Sequence, residues 1–501
     1  ITYLGEEGDA SVAIHNFLAK RFDLSADHML KGELLVKTPH EHVLLLLFHH
    51  IAFDGWSIPL FVQALGSNYH ALKNGVESAP EPLPIQYADY ALWQREEPQV
   101  QVLQEKLTFW ESALQGLEPI NLPTDFSRPA VLSNQGRMLH FDLDQALTAQ
   151  VSQLAQREGV TLFMTLLSVV KVFLYKYTGQ QDIAIGTPVA NRGLGETEPL
   201  IGFFVNTLVL RNTIDSQLSF RQLLAQVKRN TLAAFDHKEV PFDKIVSKLV
   251  AHRDFSRNPL FQVMFALQNA PVKPEDFHLD GVEVSLESQP HETAKFDLSF
   301  SVTEEEAKLA LGIEYATDLF SEATIRRIEQ YLVGLLEALV NQPDLSIGRF
   351  SLLTPEEKDA VTRQFNASAY AYSQNKTIVE LFEQQVALTP QRTAIVFGES
   401  QVTYAELNAR ANQMARALHK RGVGSETLVG ICQAHSPNTL VAILGILKAG
   451  AAYVPIDPDY PAERVAFMIR DAQIQVIISQ REFWGLLPTD GCLPLDLDDA
   501  P

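Results

Sequence analysis

Cysteine is almost missing from this chain: Cys432 and Cys492 are the only two among 501 residues, sixty positions apart and without metal-ligand spacing. That excludes a disulfide framework and makes a reducing cytoplasm the expected compartment, with both thiols buried or incidental. Positive charge is also short, 40 Lys and Arg against 61 Asp and Glu for a net charge of -21. No basic run or basic-aromatic interleaving exists to hold nucleic acid or an anionic membrane non-specifically. No apolar run approaches the roughly 20 residues of a membrane helix, and no secretory leader opens the chain. What the chain does have is length and an ordinary 46% hydrophobic content, enough for about two to four globular domains. It enters at Ile1 in mid-element, and is expected to be a fragment.

The most informative stretch is His49-His50-Ile51-Ala52-Phe53-Asp54-Gly55. It follows Val43 to Phe48, six apolar residues bounded by Glu41-His42, which has the length and pattern of a strand buried on both faces. Adjacent histidines leaving a strand point to opposite sides, so one imidazole is expected inward and the other toward a cavity. Asp54-Gly55 then provides a turn into an apolar periodic segment from Ile58 to Leu72, with Ser57 as the candidate helix cap and Pro59 tolerated in the first turn. Two readings compete at this level. A metal would accept neutral imidazoles and a carboxylate, yet neighbours on a strand diverge instead of converging on one ion. A pair of buried histidines satisfied by backbone groups is the bland alternative.

Phe48 to Ser57 resembles the active-site motif of the condensation domains of nonribosomal peptide synthetases, whose core is H-H-x-x-x-D-G. Four further blocks follow in that family's order: Tyr87 to Trp93 (YADYALW), Ile201 to Thr207 (IGFFVNT), His237 to Asp243 (HKEVPFD) and Arg253 to Leu260 (RDFSRNPL). Sister cyclization domains carry aspartate in place of the first histidine, and epimerization domains carry different later blocks. The donor's stereochemistry stays open, with an L-donor type favoured.

The order of elements is mixed α/β. Leu34 to Lys37 and Val43 to Phe48 flank Thr38-Pro39-His40-Glu41 as a hairpin. Pro80, Pro82 and Pro84 form an extended connector to Tyr87, and Pro119, Pro123 and Pro129 mark a second crossing near Asp125. A strand is expected at Met138 to Leu143. Asp144 caps a helix from Gln145 to Glu158, an apolar helix runs from Thr161 to Tyr177, and a strand covers Asp182 to Thr187. Strands at Thr207 to Arg211, Leu260 to Leu267 and Phe296 to Thr303 and a helix from Ser321 to Asn341 complete a second lobe. The resemblance implies a two-lobed fold like chloramphenicol acetyltransferase with a tunnel between the lobes.

Residues 347–376 are polar and turn-rich, as an interdomain linker is. Beyond them, Val402 to Leu407 and Leu447 to Asp457 resemble the first two core blocks of an adenylation domain. The expected organisation is therefore a condensation domain lacking its N-terminal part at 1–346, a linker at 347–376 and the N-terminal part of an α/β adenylate-forming domain at 377–501. Because the phosphate loop and catalytic lysine of such domains would lie beyond Pro501, the adenylation part is expected to be inactive.

The resemblance implies amide formation between carrier-tethered thioesters, in which a neutral acceptor amine attacks a donor carbonyl. His50 is the expected catalytic group, as general base or by orienting the amine or stabilising the oxyanion. His49 is expected on the inward, structural side. Asp54 would be costly to bury unpaired, so an arginine partner is required, Arg192 or Arg257. Gly55 keeps the tunnel side small, and Asn258 either lines the site or caps a turn. Tyr87, Tyr90 and Trp93, three apart, read as a core face. Asn206-Thr207 and Pro241-Phe242 are expected to shape the lobe interface. Partners would be upstream and downstream peptidyl carrier domains bearing phosphopantetheine, with neither nucleic acid nor membrane. No cofactor or metal is expected in this chain, ATP and Mg belonging to a complete adenylation domain. Two alternatives remain: a free acyltransferase using a soluble thioester, disfavoured by residues 377–501, and a non-catalytic carrier-docking scaffold.

Overall fold

A computed structural model describes residues 1–4, 10–76, 82–250, 254–268, 272–287, 292–305, 308–488 and 491–496. Pro80 and Arg253 lie outside these. The chain divides into two compact units, Ile1–Asn366 and Ala367–Pro501.

The first unit holds two sheets. The smaller runs in the order β1-β2-β3, from β1 (Thr2–Tyr3), β2 (Leu30–Thr38) and β3 (Glu41–Phe48), with helix α1 (Ala10–Leu18) between the first two. β2 and β3 form the expected antiparallel hairpin around Pro39-His40. The expectation of a strand buried on both faces fails for β3. It is the last strand of its sheet, none of its residues is fully buried, and Leu44 is 46% exposed. An apolar run marks a strand, but its sequence does not say how many layers cover it. Helix α2 (Ser57–Lys73) follows, then α3 (Tyr87–Trp93) and α4 (Glu97–Leu114).

The larger sheet comprises β4 (Gly136–Asp142), β5 (Asp182–Val189), β6 (Asn206–Thr213), β7 (Val263–Gln268), β8 (Leu298–Glu304) and β9 (Leu309–Ala316), in the order β4-β9-β8-β7-β5-β6. Its helices are α5 (Gln145–Glu158), α6 (Leu162–Thr178), α7 (Phe220–Phe235), α8 (Phe242–Leu249), α9 (Glu322–Asn341) and the short α10 (Pro355–Asp359). Three helix starts follow from capping chemistry: Asp144, Thr161 and Ser321 accept the backbone N–H three residues on, each a contribution of about 1 kcal/mol. α5 and α6 both end at glycines in the left-handed region, Gly159 at φ 60° and Gly179 at φ 74°, where a Cβ would be strained. Every residue of α6 from Met164 to Leu174 is buried, so this helix is the centre of the main core. Ile347 and Phe350 pack into the same core.

In the second unit a parallel sheet runs β13-β12-β14-β15, built from β12 (Leu428–Cys432), β13 (Ala452–Pro455), β14 (Val476–Ser479) and β15 (Leu493–Asp496). It is preceded by α11 (Ile378–Leu388), the hairpin β10 (Thr393–Phe397) and β11 (Ser400–Thr403), and α12 (Tyr404–His419); α13 (Pro437–Lys448) and α14 (Ala462–Asp471) lie between its strands. Cys432 and Cys492 are buried and unbridged, and burial pushes both thiols up. Among the described residues no single helix is long and apolar enough to cross a membrane.

Candidate active site

β3 ends at Phe48, so the two histidines are not strand neighbours. His49 is extended and caps a 3-10 turn of His50–Ala52, and this turn, instead of the strand pleat, separates the rings. His49 Nδ1 accepts the Ile51 N–H at 3.1 Å, and its ring meets Phe22 edge-on at 5.5 Å. It is half-buried in the small-sheet lobe. His50 is exposed, and its Nδ1 lies 2.8 Å from the Phe53 carbonyl oxygen. A carbonyl only accepts, so Nδ1 carries the proton and Nε2 keeps a lone pair. The rings of His50 and Phe203 meet edge to face, centroids 5.1 Å apart and planes at 90°. Thus the second lobe reaches the imidazole.

Asp54 does two jobs. Its Oδ1 accepts Ser57 N at 3.0 Å and Ser57 Oγ lies 2.9 Å from it, so Asp54 caps the start of α2. Ser57, expected as the cap, is the first helical residue instead. Across the lobes, Asp54 Oδ2 accepts Phe204 N at 3.0 Å and Oδ1 takes Arg192 Nη2 at 3.1 Å. The carboxylate is only 2% exposed, a burial possible only with so many donors. Arg257, the other candidate partner, donates to Asn121 Oδ1.

Arg192 reaches Asp54 because Asn191 turns the chain with φ 47° after β5, a conformation asparagine tolerates better than most residues. Its Nη1 donates to Thr197 O at 2.7 Å and Leu200 O at 2.6 Å, Nη2 also donates to Ser57 Oγ at 3.1 Å, and the guanidinium sits 4.2 Å from the centre of the Phe204 ring. Ser57 Oγ further accepts Gly202 N and lies 3.1 Å from Gly202 O. Ser57, Phe203 and Phe204 are thus parts of the site that the sequence held within the motif and the Ile201 to Thr207 block without giving them a role there. For Ser57 the residues around it gave only the role of a helix cap.

Tyr90 is buried with Leu200 and Phe204, against Tyr87 and Trp93, as the three-residue spacing implies. Burial, and then the nearby Asp54 charge, push the Tyr87 hydroxyl up in pKa, and this hydroxyl donates to Phe203 O at 2.8 Å. Asn206 fastens β6 to the start of α8: Nδ2 donates to Lys238 O and Val240 O, both at 2.7 Å, and Oδ1 accepts Phe242 N. Asn258 Nδ2 donates to Lys295 O at 2.6 Å, tying two chain segments together. At Gly55 a Cβ would meet no protein atom within 4 Å, so packing does not require glycine there. Among the described residues no three His, Cys, Asp or Glu side chains converge to hold a metal; at this motif Nδ1 of each imidazole and both oxygens of the carboxylate face protein groups.

A small and a large sheet joined through one buried aspartate–arginine pair, beside an imidazole left open, are the two lobes of a condensation fold. The chain belongs to the condensation-domain family, whose model matches residues 3–362, and the model of AMP-binding enzymes matches residues 382–495. It is 44% identical over 491 residues to a linear gramicidin synthase polypeptide of Brevibacillus parabrevis, covering 96% of this chain and 9% of that protein. To a dimodular nonribosomal peptide synthase of Bacillus subtilis (strain 168) it is 39% identical, covering 96% of this chain and 21% of the other. Among solved structures, a holo four-domain nonribosomal peptide synthetase bound to AMP and glycine superposes with a TM-score of 0.77 at 26% identity, covering all of this chain and 39% of that one. The chain therefore spans a small part of the length of the curated relatives it matches.

Proposed function

We propose that the first unit forms amide bonds between a carrier-tethered donor acyl or peptidyl thioester and a carrier-tethered aminoacyl acceptor. The observation that carries this is the contrast between the two imidazoles: the Nδ1 of His49 is consumed by a backbone N–H, whereas His50, held by Phe53 O, keeps the Nε2 lone pair on its exposed ring. In the proposed step the neutral acceptor amine attacks the donor carbonyl carbon while hydrogen-bonded to Nε2. The C–N bond forms, the carbonyl π pair moves to oxygen, and Nε2 takes the amine proton. Collapse breaks the C–S bond, and the leaving thiolate receives that proton, restoring the imidazole. General-base help of this kind is worth about 10² to 10⁴ in rate, and holding two tethered reactants together supplies a further share.

In this reading His49, Asp54 and Arg192 are positioning residues, Asn258 is a structural tie, and Gly55 leaves open the side along which a phosphopantetheine arm would pass. The arms arrive with partner carrier domains as cargo. ATP and Mg would serve an adenylation reaction that we do not assign to this chain. The same reading assigns 1–346 to the condensation domain, 347–376 to a linker and 377–501 to the adenylation part. Burial of Ile347 and Phe350 argues that the first linker residues fold with the condensation domain.

The test is mass spectrometry of peptide transfer between loaded donor and acceptor carriers, using the chain joined to its native flanking sequence. Wild type is expected to form product, and folded His50→Ala to lose about 10² to 10⁴ in rate. A folded wild type inactive across a panel of loaded carriers would instead support the docking-scaffold reading. Full activity from free thioesters alone would support a free acyltransferase.

A further inference from the structure

Phe203 meets the His50 imidazole from residues 201–205, a stretch that belongs to no strand or helix. Side chains hold that stretch instead. Gly202 N and Gly202 O each lie 3.1 Å from Ser57 Oγ, and Phe204 N donates to Asp54 Oδ2 at 3.0 Å. The third holder stands outside the histidine motif: Tyr87, the first residue of α3, donates its hydroxyl to Phe203 O at 2.8 Å. Phe203 O and the Phe204 N–H are the two ends of one planar peptide, so Tyr87 and Asp54 grip that plane from opposite sides. With Gly202 O held by Ser57, both peptide planes that flank the Phe203 Cα are fixed, and with them the direction of its Cβ.

That direction matters to His50. The exposed imidazole is tied at Nδ1 to Phe53 O, and a ring tied through one hydrogen bond can still swing about it. The edge-to-face contact with Phe203, an arrangement that aromatic pairs favour, limits the swing. Phe203 is itself 36% exposed, so its backbone, more than packing around its ring, decides where the ring stands. Tyr87 is well suited to hold that backbone. Its ring meets Phe204 edge-on at 5.1 Å and lies so close to Gly202 that a Cβ there would strike it, so the ring is placed whether or not the hydroxyl is present. Burial, and then the Asp54 charge, push the hydroxyl up in pKa, and it stays a protonated donor throughout the neutral range.

We propose that Tyr87 is a positioning residue for amide formation: through the Phe203 carbonyl its hydroxyl fixes the Phe203 ring, and that ring fixes the plane in which His50 presents Nε2. The inference rests on the role proposed for His50. Tyr87 acts at one remove from the imidazole, and Tyr87→Phe deletes only its bond to Phe203 O, leaving those that join Asp54, Ser57 and Arg192 in place.

The test is a double-mutant cycle on carrier-to-carrier transfer, using the chain joined to its native flanking sequence, with Tyr87→Phe, Phe203→Leu, the double variant and His50→Ala as reference. Tyr87→Phe is expected to lower kcat about tenfold, with KM for the loaded acceptor carrier within about twofold and the pH profile unmoved. Because the hydroxyl acts through the ring, the double variant should transfer no more slowly than Phe203→Leu alone. Losses that multiply, or an unchanged kcat in Tyr87→Phe, would overturn the proposal. NMR of the chain labelled at histidine Cε1 gives a readout that does not depend on transfer. The His50 signal, assigned by its absence in His50→Ala, should move in Tyr87→Phe but stay put when the same change is made in Phe203→Leu; a signal unmoved by Tyr87→Phe would also overturn the proposal. Full transfer by His50→Ala would remove the reading on which the inference rests, whereas a loss there beside an unaffected Tyr87→Phe would remove this inference alone.

Discussion

Removing the Arg192 guanidinium, as in Arg192→Met, should destabilise the first unit by about 3 kcal/mol. The structure provides the terms. Arg192 and Asp54 side chains are 7% and 1% exposed, so the pair is desolvated, and stripping one partner from a buried pair costs about 3–5 kcal/mol. The low end applies because Asp54 keeps Ser57 N, Ser57 Oγ and Phe204 N. Against it, Thr197 O and Leu200 O each lose their charged donor, while the stacking of methionine on Phe204 recovers part of the apolar contact. Two opposing details limit the original pair: Arg192 Nε is buried without a partner, yet the Phe204 ring face compensates the charge. Urea unfolding followed by tryptophan fluorescence is the assay, since Trp56, Trp93 and Trp110 lie in the first unit and only Trp484 in the second. In the double variant with Asp54→Asn, no buried charge is left alone, so its loss should fall at least 1 kcal/mol short of the sum of the single losses. A loss below about 1 kcal/mol for Arg192→Met, or strict additivity, would mean that the pair is hydrated in solution and that the lobe junction is held by something else.

Lys171 is fully buried in α6, its Nζ donating to Leu210 O at 2.5 Å and Ile183 O at 3.4 Å, and burial pushes its pKa from 10.5 down to about 7. Between those values the unfolded chain holds a proton that the folded chain lacks, so stability should rise with pH by up to about 1.4 kcal/mol per unit; urea midpoints at pH 7 and pH 9 should lose this component in Lys171→Met, and an unchanged slope would refute it. Gly202→Ala places a Cβ 2.8 Å from Phe204 Cε2 and closer still to Tyr87 Cδ2, and a melting experiment should report a loss of about 1–3 kcal/mol; an unchanged Tm would show that this junction yields. Gly55→Val puts its side chain into open space, so stability should stay within about 0.5 kcal/mol while carrier-to-carrier transfer falls at least tenfold; full transfer would place the tethered arm elsewhere.

The local chemistry of the chain was legible and its long-range chemistry was not. The cap at Asp144 could be read because a cap acts over three residues, whereas Thr161 and Ser321, expected inside their helices, cap them instead; the β2–β3 hairpin was legible because Thr38 to Glu41 is turn-like between two apolar runs. β9 went unread although it pairs with two strands. The reason is that Leu309 to Ala316 interrupts its apolar pattern with Gly312 and Glu314. Ser57 was read as a cap, the only role its neighbours reveal, whereas its principal partner Gly202 lies 145 residues away. Strand parity gave the histidines opposite directions for the wrong reason: β3 stops one residue early and the 3-10 turn separates them.

That turn also explains why an aspartate and a glycine follow the histidines at this spacing. His50 is oriented by Phe53 O, and Phe53 immediately precedes Asp54, which is bonded at once to the start of α2 and to Phe204 N and Arg192 of the other lobe. The hydrogen bond that fixes the His50 tautomer is therefore anchored, one residue away, to both sheets. A shift of one lobe against the other would have to stretch the bonds of a buried carboxylate or carry the imidazole with it. The first course is costly, so the imidazole, Phe203 against it and Asp54 should move as one body. In Arg192→Met that coupling weakens while Nε2 itself stays intact. Loss of transfer activity beyond the fraction unfolded would then measure positioning, and its pH profile should keep the wild-type shape.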